Sequence, residues 1–408
     1  MDELFDQYPL SGLKVLELAT VIAAPSAARL LCAYGAEVIK IENLIGDDAR
    51  YVGSFHDTPY GDFQNPSFTV QNSSKRLISL NLKSAEGVRI FWELLENADV
   101  FVTNMRQDAL ERLGIDYPTV KEMLPRLIYA HLTGFGPEGP AAKDPGYDAT
   151  TFWSRTGCFA DWPAEGDAPF SPSYGFGDNA TGMALLSGIL MALYGREKNG
   201  HGSYVTTSLF ASGIWYNSNG LVINQFYRMP QNRNINHPAA MFTNVYRCKD
   251  GRWVSVFETN YVRAFPKFAK AMGMYDMLED PRYQTYEEMH RSGAIFESVK
   301  RCQELFLEKT AEEWKEYLAE NDIACEIAQH IVDLCHDEQA LANGYVRTVD
   351  FADGLKVGMA EPPISFGEYG RREYEPCGAI GQETAEVLQE LGYTEDEILK
   401  LREKKAVR

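Results

Sequence analysis

The sequence lacks any paired cysteine motif. Its seven cysteines, at 32, 158, 248, 302, 325, 335 and 377, include no CxxC pair. An odd, unpatterned set argues against a disulfide framework or a zinc site and fits the reduced thiols of an intracellular protein. Long apolar runs are also missing. The longest, Met183 to Tyr194, has about a dozen residues, where a membrane span takes roughly 20. The opening Met1-Asp2-Glu3-Leu4 has no basic stretch of the signal-peptide kind. A cytoplasmic protein with no membrane partner is expected. Positive charge is in short supply too: the net charge is −19. A phosphate-backbone binder needs a basic face, so no nucleic-acid partner is expected, although a local basic pocket for a small phosphorylated ligand is still allowed. The seven histidines are dispersed without HExxH-type spacing, so no metal site is read.

What is present is ordinary globular material, 45% hydrophobic and 24% charged. The 408 residues exceed the roughly 250–300 at which one core stops growing, which predicts more than one domain. Leu13–Leu18 reads as a strand, Ser26–Tyr34 as a helix and Ala36–Glu42 as a second strand, a βαβ unit with parallel strands. The alternation continues through Leu77–Leu82, Ser84–Asn97, Asp99–Thr103, Gln107–Leu113 and Leu127–Thr133. A helix over Asn179–Lys198 and a strand over Ser203–Leu209 then follow. This predicts an α/β fold with a doubly wound, Rossmann-like large domain over 1–227. Past Tyr227 the character changes. Pro230–Pro238 is polar and turn-rich, Arg252–Phe257 reads as a strand, and 261–320 is helical and charged. A smaller α+β domain is placed at 228–335. Residues 336–408 return to the large domain and end in a helix near Glu383–Lys404.

A doubly wound sheet binds ligands outside the carboxyl ends of its strands. The loops there carry Ala23-Ala24-Pro25, Glu42-Asn43, Asn104-Met105-Arg106 and Gly134-Phe135-Gly136. The first turn, Thr20 to Pro25, contains no glycine, which excludes the dinucleotide fingerprint despite Glu42 at the end of the second strand. No G-x-S-x-G elbow occurs. Cys158 has no local partner and reads as a buried structural thiol.

The sharpest local feature is Gly175-Phe176-Gly177-Asp178-Asn179-Ala180-Thr181-Gly182. Asp178 stands between a glycine loop and an apolar helix. One reading makes it an N-cap. The other makes it a nucleophile. A carboxylate of pKa near 4 is ionised at neutral pH, attacks a thioester without a general base, and forms a covalent intermediate. On that reading the backbone N–H groups of Gly177 and Asn179 face an oxyanion.

Four segments in order carry a resemblance along nearly the whole chain. They are Leu10–Leu18, Gly35–Glu42, Gly177-Asp178 with Gly182, and Arg196-Glu197-Lys198 through Gly202-Ser203-Tyr204-Val205. With them the chain resembles the class III coenzyme A transferases. The resemblance implies an interlocked homodimer, no permanently bound cofactor, and coenzyme A thioesters as substrates alongside a free carboxylic acid. It places the nucleophile on Asp178 and coenzyme A contacts on Val21, Asn43, Lys75, Asn104, Met105, Arg112 and Phe135, with Arg106 beside them. Within the family it points to the branch of amino-acid fermentation that serves 2-hydroxy acids, upstream of a 2-hydroxyacyl-CoA dehydratase. Candidate acyl-pocket walls are Tyr147, Trp153, Phe176, Trp215, Tyr216 and Phe242. The related α-methylacyl-CoA racemases carry a histidine base in a G-H-D segment. Here that segment is Gly146-Tyr147-Asp148, and a tyrosine of pKa near 10 is a poor proton acceptor at neutral pH. A non-catalytic acyl-CoA binder would tolerate loss of the nucleophile, yet Asp178 is present.

Overall fold

The structure, a computed structural model, describes residues 8–55, 57–62, 65–164, 166–170, 172–227, 234–351 and 354–408. Two compact units divide the chain. The larger comprises Met1–Cys158, Ser171–Phe226 and Glu338–Arg408, and the smaller comprises Phe159–Phe170 and Tyr227–Asp337. Phe159–Phe170, read as part of the large domain, thus belongs to the smaller unit. The Pro230–Pro238 stretch and the 227/228 boundary fall partly on residues outside the described set.

The larger unit is built on six parallel strands: β1 Lys14–Leu18, β2 Glu37–Glu42, β3 Arg76–Ser79, β4 Val100–Thr103, β5 Ile128–Thr133 and β6 Tyr204–Ser208. Their spatial order is β3-β2-β1-β4-β5-β6. Strands β4 and β5 are almost wholly buried, as parallel strands covered on both faces must be, and this is why they read as apolar runs. Three buried charged residues break that rule, Glu17 in β1 and Lys40 and Glu42 in β2. Glu17 and Lys40 are completely buried, and they pair with each other.

Among the described residues as far as Tyr227, nine α-helices follow in chain order, the one at Cys158–Asp161 lying mostly in the smaller unit. They are α1 Ala23–Ala33, α2 Pro66–Asn72, α3 Ala85–Glu96, α4 Gln107–Leu113, α5 Tyr117–Met123, the single turn α6 Cys158–Asp161, α7 Phe176–Asn199, α8 Leu209–Tyr216 and α9 Ser218–Tyr227. Among the described residues α7 alone is long and apolar enough to cross a membrane, but nearly half of its apolar stretch is buried. It packs on α1, β5 and β6, as the core helix of a globular unit does. The order of strands reverses between β1 and β4, so the loops after these strands open the crevice where such sheets bind ligands.

The final helix of the sequence reading is two helices, Thr384–Glu390 and Glu395–Glu403. Gly392, at φ +96°, turns the chain between them. Val387, Leu388, Ile398, Leu401, Ala406 and Val407 join the core formed by β1, β3, α3 and β4. An antiparallel pair, Val346–Asp350 with Lys356–Ala360, precedes them.

The smaller unit carries an antiparallel three-stranded sheet, β7 Thr243–Arg247, β8 Trp253–Phe257 and β9 Cys325–Ile327, in the order β7-β8-β9. Helices such as Tyr261–Ala271, Ala294–Phe306 and Ala311–Glu320 cover it. Their apolar faces form one core with Phe242, Tyr246, Phe268 and Trp314.

Candidate active site

Asp178 is the third residue of α7. The helix begins at Phe176 behind Gly175, which takes φ +73°. The N-cap reading therefore gives way: Gly175 holds the cap position and Asp178 lies inside the first turn. Glycine is required at 175 for that left-handed backbone, and a Cβ there would come within 2.6 Å of Ile22 Cδ1. Gly177 permits a second close approach, since a Cβ on it would collide with the Asp148 carboxylate and the Phe152 ring.

The Asp178 residue is 8% exposed, and none of the described residues donates a hydrogen bond to its carboxylate. A carboxylate so largely removed from water is a candidate functional group. Burial, and then the neighbouring Asp148 carboxylate, push its pKa up to about 7. This corrects the expectation of an acid near 4. Burial likewise raises Asp148 to about 6, against the backbone N–H groups of Gly177 and Gly175 and the Trp153 indole. Asp148 comes from a π-helical turn, Asp148–Ser154, a form that recurs at functional sites. Tyr174 completes the group. Burial first, then Asp178, Asp47 and Asp148, push its hydroxyl up to about 12.

The oxyanion donors expected at Asn179 and Gly177 are otherwise engaged. Asn179 N donates to Gly175 O at 2.9 Å, and its side chain accepts from Gln71 Nε2 at 3.1 Å. Gly177 N–H faces Asp148.

A cavity of about 830 Å³ opens at the carboxyl ends of β1 to β4. Asn43, Met105 and Arg112, read from the sequence as coenzyme A contacts, line it together with Ala19, Thr20, Ile45, Asn81 and Lys83. Arg112 is exposed and pairs with Asp108 at 2.7 Å. Arg106 is exposed where the chain enters α4. Phe135 lies apart from this cavity: its ring is 6.2 Å from Phe210 and carries the Arg155 guanidinium at 4.8 Å.

Lys75 does not reach the cavity. Its ammonium group spends all three donors inside the protein, on Glu17 Oε2 at 2.6 Å, Pro25 O at 2.9 Å and Asn72 Oδ1 at 2.9 Å. Burial outweighs Glu17 and lowers its pKa to about 8. Lys83 is a second exposed cation at the cavity edge, beside Arg112. It lies in the loop after β3, a post-strand loop that the strand-end rule marks and the sequence reading passed over. Glu42 is also committed, holding Arg50 through two 2.7 Å hydrogen bonds.

Val21 and Asn104 act on the turn between β1 and α1. Asn104 accepts from Thr20 N at 3.0 Å and donates to Thr20 O at 2.8 Å. Val21 takes φ +67°, a strained conformation for a β-branched residue that costs about 1–3 kcal/mol.

The expected acyl-pocket walls separate. Trp153 is buried and 5.4 Å from the Phe176 ring. Phe176 and Tyr147 are exposed. Trp215 and Tyr216 are exposed on α8, with Tyr216 packed on Phe152 at 6.1 Å. Phe242 is no pocket wall. It is buried in the core of the smaller unit against Tyr261 and Phe268.

The doubly wound sheet carries no glycine fingerprint after β1, which argues against a nicotinamide oxidoreductase. The chain belongs to CoA-transferase family III, whose profile matches residues 10–384. It is 38% identical to the (R)-2-hydroxy-4-methylpentanoate CoA-transferase of Clostridioides difficile, over 98% of this chain and 99% of that protein. It is 37% identical to the cinnamoyl-CoA:phenyllactate CoA-transferase of Clostridium sporogenes, over 97% of each. Among solved structures, a CAIB/BAIF family protein from Brucella suis matches with a TM-score of 0.79 and 26% identity, over 94% of this chain and all of that one.

Proposed function

We propose that the protein moves coenzyme A from an acyl thioester to a free 2-hydroxy acid through a covalent intermediate on Asp178. An Asp178 carboxylate oxygen attacks the donor thioester carbonyl, giving a mixed anhydride and coenzyme A thiolate. The thiolate attacks the aspartyl carbonyl and releases the donor acid, leaving an aspartyl-CoA thioester. The acceptor carboxylate attacks that carbonyl and expels the thiolate. The thiolate then takes the acceptor acyl group from the new anhydride and frees Asp178. One thioester replaces another, so no net proton or nucleotide is consumed. The site's task is to place the reactants and keep water from the anhydrides.

The observation that carries this reading is the Asp178 carboxylate, desolvated and without a hydrogen-bond donor at the start of α7. A carboxylate in that state is a stronger nucleophile than one in water. The 2-hydroxy acid comes from the two clostridial relatives, each of which is named for one, 2-hydroxy-4-methylpentanoate and phenyllactate. A 2-hydroxyacyl-CoA dehydratase is the enzyme class that would consume the product.

The proposed assembly is a homodimer. Helices α7, α8 and α9 expose Met191, Tyr194, Trp215, Tyr216, Val222 and Phe226, large apolar side chains of the kind that subunit interfaces cover. A second copy of the chain is the proposed cover, and the solution mass tests it.

The decisive experiment is thioester exchange between an acyl-CoA and a free acid, followed by mass. Asp178→Ala is expected to bind coenzyme A and lose exchange. The wild type, given acyl-CoA without acceptor, is expected to hold a coenzyme A adduct on the peptide containing Asp178. Turnover by Asp178→Ala would overturn the assignment.

A further inference from the structure

An ion network lies beneath the turn between β1 and α1. Lys40 Nζ donates to Glu17 Oε1 at 2.9 Å and to Ala19 O at 2.7 Å, and it pairs with Asp47 Oδ2 at 2.9 Å. Lys75 joins the other Glu17 oxygen to Pro25 O. All four side chains are buried. Such pairs stabilise little, because desolvation offsets their attraction and apolar residues of like volume do as well. Stability alone does not account for them.

What the network does hold is backbone. Its two ammonium groups take Ala19 O, just past β1, and Pro25 O, in the first turn of α1, so they hold the chain on both sides of the turn. Asp47 Oδ1 accepts from Val21 N at 3.0 Å, near the middle, and from Ala49 N at 2.9 Å. Asn104 grips Thr20 from the opposite side. A valine at φ +67° persists only where its surroundings over-determine it, and these contacts do so. The turn then touches two things at once. Ala19 and Thr20 wall the cavity, and Ile22 lies against Gly175, the cap of the helix that bears Asp178.

We propose that Asp47, backed by Lys40 and Lys75, is a positioning residue: it locks the Ala19–Pro25 turn in its strained form and so aligns the coenzyme A cavity with Asp178. This rests on the reading of Asp178 as nucleophile.

The test measures exchange by the wild type, Asp47→Ala and the Asp47→Ala/Val21→Gly double variant, each normalised to folded protein by circular dichroism. Asp47→Ala is expected to lower kcat/KM for acyl-CoA at least tenfold, through both a higher KM and a lower kcat. Glycine takes φ +67° without restraint, so the double variant is expected to recover at least threefold of that loss. A merely structural Asp47 would lower the melting temperature and leave kcat and KM of the folded fraction at wild-type values, which overturns the proposal. A kinetic loss that Val21→Gly leaves untouched overturns it too. If Asp47→Ala does not fold, Asp47→Asn replaces it as parent. The amide keeps an oxygen for Val21 N–H but gives up the charge paired with Lys40, and the same comparison applies. Absence of exchange in the wild type, or its survival in Asp178→Ala, would sink the nucleophile reading instead, so the two failures are distinguishable.

Discussion

Replacing Asp148 by asparagine isolates one of the two causes that keep Asp178 protonated. Asp178 rises from an ordinary 3.8 to about 7, with burial the larger cause and Asp148 the smaller. The total is about 3 pKa units, or about 4 kcal/mol at 1.36 kcal/mol per unit. The smaller cause accounts for less than half, so Asp148→Asn should lower the Asp178 pKa by less than about 1.5 units. The attacking form is the carboxylate, so kcat/KM of the wild type should climb as pH rises through about 7 and level off above it. The asparagine variant should climb at a lower pH by that interval. kcat/KM is the parameter to follow because it reports the ionisations of the free enzyme. Exchange rates from pH 5 to 9, with acyl-CoA well below KM, supply the curve. The midpoint does not depend on the amplitude, so partial loss of activity in the variant does not spoil the comparison. An unchanged or higher midpoint in Asp148→Asn, or a flat wild-type profile, would refute the reasoning.

The same shift predicts a stability effect. The folded pKa of Asp178 lies above its unfolded value, so ionisation costs nothing below pH 4, an increasing amount from about 4 to about 7, and a constant amount above. Asp178→Asn should therefore melt higher than the wild type at pH 8, by up to about 4 kcal/mol, with the gain gone at pH 4, while exchange is lost. Lys83→Ala should raise KM for acyl-CoA about tenfold with kcat within twofold, the loss of one charge-assisted contact of ~1.5 kcal/mol; an unmoved KM would remove Lys83 from the site. Lys75→Met should instead destabilise the fold by about 3 kcal/mol, because it leaves Glu17 short of a buried partner, as thermal unfolding would register. Phe242→Ala should cost about 3–5 kcal/mol in stability without changing the ranking of acceptor acids in a competition panel.

The parallel sheet was legible because a strand covered on both faces is mostly apolar, and Val100–Thr103 and Ile128–Thr133 are, His131 being the exception. The breaks around Gly35 and Gly200 stood out for the same reason. The smaller sheet was less so: Thr243–Arg247 is mixed, with one fully buried position and no clean alternation, and Cys325–Ile327 is only three residues long, too short for a periodic signal. Asp178 was found by its glycine setting, but its protonation was not. Burial and the approach of Asp148, thirty residues earlier in the chain, exist only once the π-helical turn has packed on Gly177. Lys75 misled for a related reason. A lysine beside an arginine reads as solvated, and nothing local reveals that Glu17 waits for it across the sheet. Lys83 was readable in principle, standing just past a strand end.

The C-terminal helices bear on how the protein is made. Residues 384–407 supply six side chains to the core shared with β1, β3, α3 and β4, and Asn81 N donates to Ala406 O at 2.8 Å. Synthesis runs from the N-terminus, so the sheet of residues 14–208 leaves the ribosome with one apolar flank bare. It stays bare while the whole of the smaller unit is translated. During that interval the uncovered flank is open to association with other chains, and a product that ends before residue 384 has a finished cavity edge and an open core.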